Sequence, residues 1–249
     1  MRIKVISCEI FFREMCAVAA RSPHRVELEF LPKGLHDIGC DKMRGRLQDA
    51  IDRCEPDYEA IVLGYGLCNN GILGLEARGC PLVIPRAHDC ITLFLGDRRK
   101  YLEYFERHPG TYFKTTGWIE RGDGLSGELR AQAIQHRTGM DRSYADLVQQ
   151  YGEENAKYLV EQLGDITRYY SRLVFIEMGV EPDTRFERET QDEAARKGWE
   201  YEKLQGDLAF MQRLVEGNWN EEEVLVVPPG RRVGAEYNSM IIQCERVEP

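Results

Sequence analysis

The sequence predicts an α/β protein built on an open, mainly parallel, Rossmann-like sheet with helices on both faces and a more helical second half. Three observations predict it. Short strand-like runs alternate with stretches of helical spacing over the first 107 residues, the pattern of a parallel sheet joined by helical crossovers. The runs at 60–63 and 82–84 are continuously apolar, as strands covered on both faces are. Glycine and proline punctuate them: Gly64-Tyr65-Gly66 ends one run and Pro81 introduces the next.

Taken in order, Ile3-Lys4-Val5-Ile6-Ser7 is a short strand, and Ile10–Ala20 sets apolar residues at helical spacing among good helix formers. Val26–Phe30 alternates apolar and acidic residues, as a half-buried strand does. Met43–Cys54 is an amphipathic helix with Met43, Leu47, Ala50, Ile51 and Cys54 on one face. Ala60–Leu63 is a strand, Ile72–Ala77 a short helix and Leu82–Ile84 the next strand, with helices near 90–95 and 98–107 after it. Residues 121–143 are rich in Gly, Arg and Ser without a period and read as a loop or boundary. The chain therefore divides into an α/β part over 1–120, bearing the candidate site, and a helix-rich α/β part over 121–249, packed together as one unit. In the second part, 144–163 is helical and charged, and Leu173–Met178 is a buried strand. Pro182–Lys197 is a polar helix with proline in its first turn, Leu208–Val215 a short amphipathic helix, and Val224–Val227 the last core strand.

Composition removes whole classes of function. The 249 residues carry 33 Lys plus Arg against 42 Asp plus Glu, a formal net charge of −9, which argues against a duplex nucleic-acid binder. A 43% hydrophobic content with 30% charged residues excludes wholesale disorder. No apolar run approaches the roughly 20 residues a membrane helix needs, and Glu9 interrupts the stretch where a signal peptide wants apolar residues. A cytoplasmic location is expected. Eight cysteines are many for that compartment, and they include no Cys-x-x-Cys pair, so zinc ribbons and thioredoxin-like motifs are absent. Any thiolate site must be assembled from distant parts of the chain.

Ligands of open parallel sheets bind beyond the carboxyl ends of the strands. The segments at those ends are Cys8-Glu9, then Leu35-His36-Asp37, then Gly64-Tyr65-Gly66-Leu67-Cys68-Asn69-Asn70-Gly71, then Pro85-Arg86-Ala87-His88-Asp89-Cys90. Pro228-Pro229-Gly230 is expected at the same edge, after the last strand. Cys16 and Cys54 fall on apolar helix faces, Cys80 precedes a buried strand, and Cys40 and Cys244 lack a chemical neighbourhood; all five read as packing. Cys8, Cys68 and Cys90 share a location by topology, although singly each would also read as packing, and His36 and His88 as ordinary loop residues. Gly64-Tyr65-Gly66 does not extend to a dinucleotide fingerprint, because Asn69 stands where the third glycine belongs. Gly66 and Gly71 instead let backbone approach a ligand.

Several segments resemble the family called domain of unknown function 1638, found in bacteria and archaea. They are Val5-Ile-Ser-Cys-Glu-Ile, Phe30-Leu-Pro-Lys-Gly-Leu-His-Asp, Ile61-Val-Leu-Gly-Tyr-Gly-Leu-Cys-Asn-Asn-Gly, Pro85-Arg-Ala-His-Asp-Cys-Ile-Thr-Leu-Phe-Leu-Gly, Gly117-Trp-Ile-Glu and Val226-Val-Pro-Pro-Gly. The resemblance covers nearly the whole chain and supplies no assigned reaction. It implies a context of anaerobic metabolism, with corrinoid-dependent methyltransferases as neighbours, and a motif set that includes Cys8, Cys68, Cys90, His36 and His88.

Three thiolates arriving from separate strand ends suit a [4Fe–4S] cluster that keeps one iron open for a small substrate. They also suit zinc, completed by His88 or by a substrate thiol. His88-x-Cys90 is similar to zinc enzymes that activate a thiol to accept a methyl group from a corrinoid, but those are eight-stranded barrels and this chain is short for one. The expected site therefore has Cys8, Cys68 and Cys90 as metal ligands and Glu9, His36, His88 and Asp89 as acid–base candidates. Tyr65, Gly66, Asn69 and Arg86 are expected at the substrate, Arg86 for an anionic group. The same ligands would serve an accessory protein that holds a metal, a cluster or a corrinoid partner without turnover. The sequence carries no signal of oligomeric state.

Overall fold

The computed structural model describes residues 1–122, 127–134, 144–163 and 169–247. Its main sheet has the order β2-β1-β3-β4-β8, formed by β1 (Arg2–Cys8), β2 (Arg25–Leu31), β3 (Ala60–Gly64), β4 (Leu82–Pro85) and β8 (Val224–Val227). The first four are parallel, with Ile3 opposite Ala60 and Ile61 opposite Leu82. The expected neighbours Ile3–Ile6, Ala60–Leu63 and Leu82–Ile84 are thus adjacent parallel strands. Every residue of β3 and β4 is buried, which is why their sequences are unbroken apolar runs. The edge strand β2 is half-buried, and its alternating Glu27 and Glu29 meet Arg2 at 3.0 Å and Lys4 at 2.9 Å across the strand pair.

β8 runs antiparallel to β4, pairing Val224 with Pro85 and Val227 with Leu82. Pro228-Pro229-Gly230 therefore leaves from the opposite end of the sheet, where Gly230 donates to the Ala77 carbonyl at 3.0 Å, and not from the edge where the sequence pattern predicts it. Strand direction decides this, and an apolar run of four residues carries no direction. The stretch Ile72–Ala77 also differs: it is turns and then an isolated bridge from Glu76 to Arg232, not a helix. Ile72, Leu75 and Ala77 are buried there without a helical turn between them.

A second, wholly parallel sheet has the order β5-β6-β7, from β5 (Thr111–Lys114), β6 (Arg172–Glu177) and β7 (Glu200–Gln205). A hairpin of β9 (Arg231–Ala235) and β10 (Ile242–Arg246) completes the strands. β5 thus takes the first segment of the chain into the second sheet, and β8 returns the second segment to the first. Helices flank the sheets: α1 (Phe12–Ala19), α2 (Cys40–Asp52), α3 (Cys90–Leu95), α4 (Arg98–Arg107), α5 (Thr116–Glu120), α6 (Glu128–Gln132), α7 (Tyr144–Tyr151), α8 (Glu153–Leu163), α9 (Arg185–Lys197) and α10 (Ala209–Val215). α9 begins three residues later than Pro182, and α6 forms inside the stretch expected as loop, most of which lies outside the described residues. One continuous core joins the two sheets, with Val174, Ile176 and Met178 of the second packed into the cluster that holds Val5, Leu63 and Ile84 of the first. Phe11 and Phe94 meet in it with ring centroids 4.5 Å apart, each buried aromatic stabilising by roughly 1.5–3 kcal/mol. Among the described residues, no helix is long and apolar enough to cross a membrane.

Candidate functional site

Parallel strands β1, β3 and β4 end on one edge, so the segments after them converge. The convergence is tightened beyond the strands. The Leu67 amide donates to the Ala87 carbonyl at 2.7 Å and the Cys68 amide to the His88 carbonyl at 3.1 Å, which ties the loop after β3 to the loop after β4. Gly66 makes this possible, because a Cβ there would stand 2.8–2.9 Å from the backbone of Asp89. Beyond it Cys68, Asn69 and Asn70 adopt φ of 30°, 45° and 66°, three left-handed residues in succession. Asparagine tolerates that region and cysteine does not favour it, so the backbone at Cys68 holds strain of about 1–3 kcal/mol.

Cys8, Cys68 and Cys90 line one cavity of about 220 Å³, together with His36, Tyr65, Gly66, Asn69 and Asp89. Eight of the eleven residues singled out in the sequence meet there. A water molecule's share of liquid is about 30 Å³, so the space exceeds what one ion fills. Burial pushes the Cys8 and Cys68 thiols up to about 12 and the Cys90 thiol well above its ordinary range. The charge of Cys8 adds to the rise at Cys68, and those of Cys68, Asp89 and Cys8 add to it at Cys90, so the sulfurs act on one another electrostatically. The Lys33 ammonium pulls Cys8 the other way. Unliganded, the three groups are neutral thiols. Among the described residues, no group of three or more His, Cys, Asp or Glu side chains stands in metal-holding geometry as placed.

The remaining side chains have separable duties. The Tyr65 hydroxyl is buried in the cavity wall without a hydrogen-bond partner, and burial, then Cys8 and Cys68, raise its ionisation well above the usual phenol. Asp89 caps α3, accepting from the Ile91 amide at 3.0 Å and from the Tyr101 hydroxyl at 2.7 Å. His36 places Nδ1 3.0 Å from the Lys33 carbonyl oxygen and Nε2 3.3 Å from Asp37 Oδ1, so both ring nitrogens are engaged. Asn69 donates to the His36 carbonyl, which ties the strained loop to the His36 turn.

Three expected residues stand elsewhere. Glu9 is no part of the cavity lining; its carboxylate accepts from the Lys33 amide at 2.9 Å and lies 3.8 Å from Arg121. His88 is exposed, outside the cavity. Arg86 is buried and turned to the other side, where it donates to the carbonyls of Glu221 at 2.8 Å, Val224 at 3.2 Å, Met240 at 2.8 Å and Ile242. Its guanidinium staples the start of β8 and the hairpin to the end of β4, away from the thiol cavity.

Sequence reasoning misses Lys33 and Trp118. Lys33 lies over the Trp118 ring, 4.0 Å from its centroid, and donates to the Trp118 carbonyl at 3.1 Å and to that of Gly122. Gly117 lets α5 approach so closely that a Cβ there would lie 1.8 Å from the Ile10 carbonyl oxygen, which seats Trp118 in the cavity wall. The Gly117-Trp118 pair is visible in the sequence only through the family resemblance.

Comparison with curated proteins and with solved structures returns no match. A family model described as "Protein of unknown function (DUF1638)" matches residues 30–215, about three quarters of the chain. The protein belongs to the DUF1638 family.

Proposed function

We propose that Cys8, Cys68 and Cys90 together hold a thiophilic metal centre with one open coordination position, and that the protein is a metal-dependent enzyme acting on a small substrate there. The single observation that carries this is the meeting of three thiols from three different strand ends in one cavity larger than an ion. The chemistry of the donor set suits the group, and binding would have to draw the three thiols together from where they stand. Soft thiolates select iron–sulfur clusters and zinc. Both nitrogens of the cavity imidazole are engaged, the Asp89 carboxylate is taken up by the Ile91 amide and the Tyr101 hydroxyl, and His88 lies outside, which supports three protein ligands and an open fourth position. A [4Fe–4S] cluster is the first reading, since it accepts three cysteines and leaves one iron open. When bound, such a group supplies a Lewis-acidic position.

The chain's own residues do the rest. Three thiolates on a dipositive centre leave a net charge near −1, and the Lys33 ammonium beside Cys8 offsets it. The Tyr65 hydroxyl, buried without a partner, would offer a hydrogen bond to a ligand held in the cavity, and Asn69 and Gly66 shape its wall. Trp118 and Phe11 exclude water. Zinc is the second reading, with a substrate thiol as fourth ligand. The corrinoid methyltransferase neighbourhood that the family resemblance implies makes one-carbon or methyl chemistry the setting proposed here, and an accessory role within that system is part of the same proposal.

Anaerobic purification with absorption spectroscopy and elemental analysis tests it. About four irons per chain with a brown colour supports the cluster, and about one zinc supports the second reading. Serine at Cys8, Cys68 or Cys90 should abolish retention, while serine at Cys16 or Cys54 should keep it. Because three protons must leave thiols that burial holds high, loading should strengthen as pH rises. If all three key variants hold metal as well as the parent, the proposal is wrong.

A further inference from the structure

A second cleft opens beside the thiol cavity and shares Asp89, Cys90 and Trp118 with it. Its volume is about 480 Å³, enough for a ligand of several fused rings. Its walls are aromatic to an unusual degree: Tyr101, Phe105, Tyr112, Phe113, Trp118 and Tyr170 all face it. They are tilted against one another, with Tyr112 and Tyr170 edge-on at 5.4 Å between centroids, Tyr101 and Phe105 at 6.0 Å, and Tyr101 and Phe113 at 6.5 Å. Phe105, at 43% exposure, stands on the solvent side although its neighbours on α4 are charged. A buried core explains aromatic residues that are covered; it does not explain a solvent-facing cleft lined by them.

The charge of the cleft is one-sided. Among the described residues its lining includes no Lys, Arg or His, and one carboxylate, Asp89, whose Oδ2 is held by the Tyr101 hydroxyl at 2.7 Å. Aromatic faces carry negative quadrupole, so ring walls and carboxylate act in the same sense: they attract a flat cation or a ring bearing N–H donors and repel an anion.

We propose that this cleft binds a planar, cationic or N–H-bearing heteroaromatic ring and presents it to the thiol cavity through the shared wall at Asp89, Cys90 and Trp118. The binding step stands on the cleft alone; only the role of the bound ring as substrate rests on the metal-centre reading above.

Proflavine, a flat three-ring cation, is the probe, and anilinonaphthalene sulfonate, an aromatic anion, is its counterpart. Fluorescence anisotropy should show proflavine binding saturably at one site per chain and at least about tenfold tighter than the anion. Asp89→Asn keeps a good helix cap and removes the charge, so it should weaken proflavine roughly three- to tenfold and narrow its advantage over the anion. Tyr170→Leu should weaken proflavine about tenfold. Cys8→Ser, which removes a proposed metal ligand outside the cleft, should bind proflavine as the parent does, so loss of metal and loss of dye binding are separate results. Absence of saturable proflavine binding overturns the inference. So does an anion bound equally well, or an Asp89→Asn and Tyr170→Leu pair that binds like the parent.

Discussion

Glu14 sits on α1 with none of its surface exposed and neither carboxylate oxygen hydrogen-bonded. Burial raises its ionisation from 4.5 to about 7, the Glu181 and Glu120 carboxylates add to the rise, and the Arg13 guanidinium opposes it. The folded state therefore holds this proton more tightly than the unfolded chain does. As pH rises from 4.5, the unfolded chain loses its proton first and stability falls, until the folded carboxyl also ionises near 7. Above that the penalty is constant. The gap between 4.5 and about 7, at about 1.36 kcal/mol per pH unit, makes it about 3 kcal/mol. Glu14→Gln keeps the shape and abolishes the charge. Near pH 4.5 the variant should match the parent, and at pH 8.5 it should be more stable by about 3 kcal/mol, which for a chain of this size is roughly 6–12 °C in Tm. Thermal and urea unfolding at pH 4.5, 6, 7 and 8.5 measure the gap. Parallel pH profiles for the two proteins, or a variant less stable than the parent at pH 8.5, would refute the reasoning.

The geometry sets three further outcomes. Arg86→Met removes the donors for four backbone carbonyls that join β4, β8 and β10, and should cost about 3–5 kcal/mol in urea unfolding; a loss under about 1 kcal/mol would show the staple to be idle. Gly117→Ala drives a Cβ into the Ile10 carbonyl, so it should cost at least about 2 kcal/mol and red-shift tryptophan emission as Trp118 leaves its seat; an unshifted spectrum counts against that seat. Gly66→Ala forces the Cys68 loop off the Asp89 backbone, and should lower metal retention at least about tenfold while far-ultraviolet circular dichroism stays unchanged; full retention would mean that the loop contact does not set the site.

The parts of the fold that are legible in the sequence are those in which burial writes itself into composition. β1, β3 and β4 are covered on both faces, so they appear as unbroken or nearly unbroken apolar runs, and parallel pairing accords with the helices between them. β5 and β7 leave no such mark. β5 has four residues, and β7, Glu-Tyr-Glu-Lys-Leu-Gln, is an edge strand whose polar side chains mostly face water, so its sequence resembles a loop. The direction of β8 is illegible for another reason: Val-Leu-Val-Val pairs equally well either way, and only the path of the chain before it, through the second sheet, decides.

The site divides along a similar line. Topology places Cys8, Cys68 and Cys90 at one edge, and that placement needs no side-chain detail. Which neighbours face the cavity is a matter of local backbone, and there position in a loop is a poor guide. β4 ends at Pro85 and the chain bends at His88 and Asp89, where the Leu67 and Cys68 amides hold the Ala87 and His88 carbonyls. Asp89 lines the cavity and Arg86 and His88 do not, although loop position alone makes the three equivalent. The bend that separates them leaves no period in the segment Pro-Arg-Ala-His-Asp-Cys. Lys33 and Trp118 carry no local signal either. Trp118 comes from the far side of β5 and reaches the cavity only because Gly117 admits the Ile10 carbonyl, and Lys33 takes its place from the Trp118 ring. Sequence pattern reports which backbone is buried; the wall of a cavity between two sheets depends on contacts that two glycines allow.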